Sequence, residues 1–239
     1  MGNLSEKQLQ AFDVEYVNQK RWIPIKECID RDFPDGQFSF ADLGGGNGIF
    51  ADRILAAYPK STGVVIDNSP FLLGKNLLNG RKRTVLESVE SINHALSEQF
   101  DIIFFNWLLH HLIDNSYARS LAKIDSVLSS AKGMLTQRGR VSIYENMYRG
   151  FIIDNAPSII IYHLTSAKTI APLMQRGEAN TAGVGVCFLS QKKWYSIIER
   201  IGYGILNYTD DDTWPINWKW HAFLLIKNIR CGHFWLTKH

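Results

Sequence analysis

The chain has 239 residues, 46% hydrophobic and 21% charged, enough apolar surface for one domain with an appended cap, and too much for a disordered chain. A net charge of +3 and a pI near 8.7, with basic residues scattered apart from the short run RKR at Arg81 to Arg83, argue against a nucleic-acid surface. No run reaches eighteen apolar residues, the amino terminus lacks the apolar centre of a signal peptide, and Glu6 stands where a myristoylation signal needs Ser or Thr. Cys28, Cys187 and Cys231 lie far apart and match neither a disulfide framework nor a zinc pattern. The expectation is a cytoplasmic protein with no metal and no membrane span.

Leu9, Phe12 and Tyr16 fall at helical spacing and Pro24 breaks the pattern inside WIPIKECID, which predicts two short helices within residues 5–31. FSFADL is the first expected strand, residues 48–58 a helix stopped by YPK, and TGVVIDN the second strand. Ser69 as N-cap and Pro70 at the first helical position open a helix in SPFLLGKNLL. RTVLES and FDIIFFN predict strands three and four, residues 107–132 one long helix, TQRG a turn and RVSIYEN the fifth strand. Strands alternating with helices at this spacing imply a parallel, doubly wound α/β sheet. The alternation then stops. Residues 149–188 hold apolar, helix-like runs and the glycine-rich stretch NTAGVGVCF, and read as a cap insertion over the sheet edge. SQKKWYSIIERIGY predicts a capped amphipathic helix, GILNYT a sixth strand and WHAFLLIKN a seventh, the last two pairing antiparallel at one edge. The expected division is an N-terminal helical segment (1–37), the main domain (38–148 and 189–228), the cap (149–188) and a C-terminal tail (229–239).

The strand, glycine cluster, helix and second strand of residues 38–70 outline a nucleotide-binding βαβ unit. A dinucleotide site needs G-x-G-x-x-G, and Ile49 occupies the place of the third glycine; no GK[ST] comes after it, so a Walker loop is excluded as well. The glycines instead run Gly44, Gly45, Gly46 and Gly48, directly after Asp42. That spacing suits a ligand without phosphates, with backbone close to a sugar and an amino acid and an acid to receive an ammonium. Asp67, ending strand two, is placed to accept from both ribose hydroxyls.

On these residues, the chain resembles the class I S-adenosylmethionine-dependent methyltransferases over residues 38–228. ADLGGGNG looks like their first motif, VVIDNSP their second-strand acid, FDIIFFNWLLHHLID their fourth strand and RGRVSIYE their fifth. The resemblance implies a seven-stranded, mostly parallel Rossmann-like sheet with an antiparallel last strand, and S-adenosylmethionine as cofactor. It implies that Asp42, Gly44, Gly45, Gly46 and Gly48 line the methionine side, that Asp67 binds ribose and that Asn68 lies beside adenine. The third-strand acid near adenine falls at Glu87 or Ser88, and Asn106 and Trp107 border the sulfonium.

On the acceptor side, NWLLHH lacks the Asn/Asp-Pro-Pro-aromatic tetrapeptide of nucleic-acid amino-methyltransferases. The stretch resembles two small-molecule branches: the ubiquinone/menaquinone-type enzymes, where LHHL is common, and the O-methyltransferases of phenolic natural products. In the second alignment His110 falls on the family's base, with His111 as the alternative, Asp114 on its motif aspartate and Glu145 on the acid flanking the base. Leu112 stands where that family has Trp, and about 37 residues precede strand one, so the family's large N-terminal dimerisation domain is not expected. A histidine that takes the proton of a phenol during attack would contribute ~100- to 10,000-fold. Trp194, Tyr195 and Trp220 read as core, whereas Trp214 in an irregular loop and His163 in the cap are candidate acceptor contacts. The expected function is methyl transfer to oxygen of a small, aromatic or polyketide-like metabolite by a monomer or homodimer. The alternatives are C- or N-methylation by proximity and orientation, or cofactor binding without transfer.

Overall fold

The computed structural model describes residues 13–167 and 183–239. Seven strands form one sheet: β1 (Ser39–Leu43), β2 (Thr62–Asp67), β3 (Lys82–Leu86), β4 (Phe100–Asn106), β5 (Leu135–Gly150), β6 (Tyr203–Asp210) and β7 (Ile226–Lys238). Their order is β3-β2-β1-β4-β5-β7-β6. The first five run parallel, and β7 is antiparallel to both β5 and β6. This is the expected doubly wound, mostly parallel sheet.

The inner parallel strands β1, β2 and β4 are largely apolar on both faces because helices cover both. On β1 and β4, Ala41, Leu43, Ile103 and Phe105 belong to one core layer, and Phe40, Ile102 and Phe104 to the other. The first layer packs under α4 (Ile92–Ala95), α5 (Tyr117–Gly133) and α7 (Gln191–Ile201), the second under α1 (Gln19–Asp32) and α2 (Ile49–Ala57). α7 is the expected capped amphipathic helix: Ser190 accepts from the Lys193 amide, and Gly202 closes it with φ 80°.

Several boundaries differ from expectation. One helix, α1, runs straight through Pro24, because the buried face of Trp22, Ile25, Cys28 and Ile29 outweighs one lost backbone hydrogen bond. The earlier helix within 5–31 falls mainly on residues outside the described ones; Asp13–Val17 are not helical. The helix at Ser69 is a single turn, α3 (Pro70–Leu73), with the Ser69 cap in place. Residues 107–132 divide into a 3₁₀ turn, Leu109–His111, and α5, capped by Ser116. The TQRG turn is absorbed into β5, whose pairing with β4 shifts register between Phe100 and Ile102.

The largest correction concerns the C-terminus. WHAFLLIKN opens in the short α8 (Trp218–Phe223) and enters β7 only at Ile226, and residues 229–239, expected as a tail, supply most of β7. β7 is therefore interior to the sheet, paired with β5 from Arg140↔Thr237 to Gly150↔Ile226. Its polar members obscure it in the sequence: His233 is fully buried, with Nε2 against the Ser142 hydroxyl at 2.9 Å. Of the cap, α6 (Ala156–Ser166) is described, and 168–182 lie outside the described residues.

Candidate active site

Strand order reverses between β1 and β4, and open α/β sheets form their ligand crevice at the strand carboxyl ends beside such a switch. A cavity of about 720 Å³ opens there. Asp42, Gly44, Gly45, Gly46, Asp67, Asn68, Ser88, Asn106, Trp107, His110 and His111 all line it.

The glycine end is made by backbone. The amides of Gly44 and Gly45 donate to the Ile66 carbonyl at 2.7 and 3.2 Å, which turns the chain back over β2. Gly44 (φ 71°) and Gly46 (φ 50°) adopt left-handed conformations that disfavour side chains, and a Cβ on Gly44 would meet Leu108 at 2.6 Å. Asp67 holds the loop: Oδ2 accepts from the Gly46 amide at 3.1 Å and Oδ1 from the Ser69 amide at 2.8 Å. A carboxylate has about four lone-pair sites, so Asp67 retains room to accept from a ligand hydroxyl. Burial raises the Asp67 carboxyl above its ordinary value.

Asp42 is more strongly perturbed. Burial first, then the neighbouring Asp67, push its carboxyl up to about 7, partly offset by Asn106 and Lys82. Asp42 Oδ2 and both amide atoms of Asn106 form no hydrogen bond of good geometry within the chain, although all are buried. Buried polar atoms left this way beside an open glycine loop suit a polar, cationic ligand. An adenosyl amino acid with a charged ammonium and sulfonium is such a ligand.

Trp107 forms the wall between the two ends. Its φ of 52° is unusual for a bulky residue, costs about 1–3 kcal/mol and persists only where the surroundings enforce it. They do: its amide donates to the Tyr144 carbonyl at 2.9 Å, its indole to Asn146 at 3.0 Å, and its ring stacks on Tyr144 with centroids 5.1 Å apart. Arg21 covers it from α1, 4.8 Å from the ring centroid.

At the far end, His110 and Glu145 meet. His110 Nδ1 lies 2.7 Å from Glu145 Oε2, with both side chains buried. An ionised carboxylate only accepts, so Nδ1 carries the hydrogen of this contact, and in the neutral imidazole the lone pair is then on Nε2. Glu145 Oε1 is held in turn by the amides of Leu109 at 2.7 Å and His110 at 3.4 Å. The Cys187 amide donates to the His110 carbonyl at 2.9 Å, and the Phe188 ring lies 4.7 Å from the imidazole. His111 stands 4.0 Å from His110, ring to ring, and burial, then His110, holds it well below the ordinary histidine value.

Five expected residues lie off the cavity wall. Gly48 is the N-cap of α2, facing Asn76. Glu87 turns onto its own 3₁₀ turn, accepting from the Ser88 amide at 2.8 Å and the Ser91 hydroxyl at 2.9 Å, which leaves Ser88 as the lining residue of that pair. Glu145 stands behind His110. His163 is exposed on α6, and Trp214 is exposed across Arg21 from Trp107. Trp194 is core as expected, but Trp220 is exposed. Other parts of the wall are not among the expected site residues, notably Asn146, which directly succeeds Glu145, and residues 14–17. Asp13 accepts from Asn47 at 2.9 Å, and Arg53 donates to the Val17 carbonyl at 2.6 Å, so this segment is tied down beside the glycine loop. No periodicity in the segment signals that.

Residues 41–141 match the family described as Methyltransferase domain. Flavonoid 8-O-methyltransferase 1 of Ocimum basilicum is 28% identical over 169 residues, covering 70% of this chain and 45% of that protein. Among solved structures, the mitomycin 7-O-methyltransferase aligns with a TM-score of 0.55 at 16% identity, over 86% of this chain and 50% of that one. A methyltransferase of calicheamicin biosynthesis in its SAH-bound form aligns with a TM-score of 0.52 at 12% identity, over 92% and 56%. At such identities the structural likeness is one of fold, and the chain spans about half the length of these relatives.

Proposed function

We propose that this chain is a class I, S-adenosylmethionine-dependent methyltransferase that methylates an oxygen of a small aromatic acceptor, with His110 as general base. The observation that carries the reading is the 2.7 Å contact of His110 with buried Glu145, on the wall of the cavity that Asp42, the glycine loop and Asp67 also line.

S-adenosylmethionine, when bound, supplies a methyl group activated by the positive sulfur. Gly44 to Gly46 with Asp42 would hold its amino-acid part, Asp67 the ribose, and Asn68 and Ser88 the adenine side. Asn106 and Trp107 would border the methyl. His110 Nε2 would take the proton of the acceptor hydroxyl, while Glu145 orients the ring and stabilises the charge it acquires. Trp107, Leu108, Leu112, Ile113 and Val184 present apolar surface to the same cavity, whose size falls in the roughly 300–1,000 Å³ range of small-molecule sites. By name, the basil protein methylates an oxygen of a flavonoid and the mitomycin enzyme an oxygen of a mitomycin, and this lining is compatible with such an acceptor. We place the acceptor beneath the cap, where Val184 reaches the cavity and Phe188 packs on His110.

The test is incubation with labelled methyl donor and a panel of phenols, amines and enolisable acids, with calorimetry for S-adenosylmethionine and for NAD. The reading expects donor binding without NAD binding, and methylated phenols at a rate that rises with deprotonation of one group. Donor binding with no product from any acceptor would leave a binding protein instead.

A further inference from the structure

Helix α8 buries none of its residues. Trp218 is 72% exposed, and Trp220 and Phe223 stand out beside it. Past the end of β5, Phe151, Ile152 and Ile153 do the same, Ile152 being 94% exposed. The two stretches are joined: the Phe151 amide donates to the Leu225 carbonyl at 3.2 Å, and the Phe151 ring lies 6.3 Å from His221 of α8. A single exposed apolar side chain is ordinary, but a contiguous group from separate chain segments marks an interaction surface.

The charges around it are unequal. Asp154 pairs with Arg149 at 3.6 Å, Asp210 with Arg230 at 3.0 Å, Asp211 with Arg21 at 3.1 Å and Asp212 with Lys20 at 3.2 Å. These four acids, among the described residues, thus have basic partners, while Lys219 and Lys227 are exposed and add positive charge beyond those pairs. Tryptophan and phenylalanine interleaved with lysine on a short surface helix is the composition of a segment that lies in a bilayer interface, rings at headgroup level and ammonium groups on anionic headgroups. Among the described residues no helix is long and apolar enough to cross a membrane, so the contact is peripheral. We propose that α8 and residues 151–153 dock the protein on an anionic lipid surface. Ile226 and Ile229, at the adjoining start of β7, share a buried cluster with Phe188, which covers His110. If His110 is the base, this brings the acceptor end close to the lipid; the docking does not depend on that role.

The test is cosedimentation of the full chain with vesicles of phosphatidylcholine alone or mixed with phosphatidylserine. Binding is expected on the mixed vesicles, reduced by high salt. A Trp218→Ser, Phe223→Ser, Ile152→Ser triple variant should lower the bound fraction about ten-fold or more. Lys219→Glu with Lys227→Glu should weaken binding to the mixed vesicles only. All five side chains are exposed, so melting temperature and S-adenosylhomocysteine affinity should stay unchanged. No sedimentation with either vesicle would overturn the proposal. So would a concentration-dependent dimer that the triple variant dissociates, since the patch would then belong to a second copy of the chain.

Discussion

The glycine end of the cavity is assembled from residues 42–69, neighbours along the chain, with residues 14–17 tied beside them, whereas the histidine end draws on residues 107–113, 145–146 and 184. At the first end the loop's shape comes from positive φ angles and backbone amides turned onto one carboxylate. At the second it comes from side chains that long-range packing brings together, with Glu145 reaching back 35 residues to His110. The two ends should therefore fail differently: damage to the glycine end should appear in cofactor affinity, and damage to the histidine end in turnover.

The largest expected effect tests the histidine end. His110→Ala should lower kcat ~100-fold or more while calorimetry finds cofactor affinity nearly intact. Near-normal turnover on the true acceptor would make the histidine structural and the comparison empty. The complementary variant is Asp67→Ala. It should weaken cofactor binding about ten- to a hundred-fold, through lost ligand contacts and a loosened loop, with kcat at saturating cofactor largely preserved. An unchanged dissociation constant in a folded Asp67→Ala protein would remove the ribose role.

A smaller effect depends on pH. The Asp42 carboxyl is raised to about 7 from its ordinary 3.8. Between those values the folded chain holds a proton that the unfolded chain releases, so stability without ligand falls as pH rises through that window. A cationic ligand favours the ionised carboxylate, so cofactor affinity should rise several-fold from about pH 6 to about pH 8. Asp42→Asn should flatten both trends, read by calorimetry and by thermal melting. The smallest effect separates neighbours: Glu87→Ala should leave cofactor affinity unchanged, because its carboxylate serves only its own turn. Measurable weakening by Glu87→Ala would return that acid to the adenine side.

The difference between the ends also governs how much of each is legible in the sequence. Gly44, Gly46 and Asp67 announce themselves through turn chemistry and a strand end within 30 residues of one another, and the structure brings them to one loop. Glu145 and His110 are paired in the sequence only through a family resemblance, and the structure puts them in contact. Trp214 and His163 have the right chemistry but the wrong address. Tyr16 falls on an apparent helix face, yet it lines the cavity in a non-helical segment tied to Asn47 and Arg53. β7 escapes a reading of hydrophobic pattern because a strand interior to the sheet carries Arg230, which pairs with Asp210, and His233, whose Nε2 meets the Ser142 hydroxyl.

By itself the sequence determined the alternation of strands and helices, the first βα turn and the acid that closes it. All of these arise from hydrophobic period, φ and capping over a few residues. Only the tertiary structure decided that β7 enters between β5 and β6, that Glu87 turns away while Ser88 faces inward, and that the chain before α1 borders the cavity. Those outcomes depend on which distant surfaces compete for burial and for hydrogen bonds, and such competition is settled between segments that have no local signal of one another.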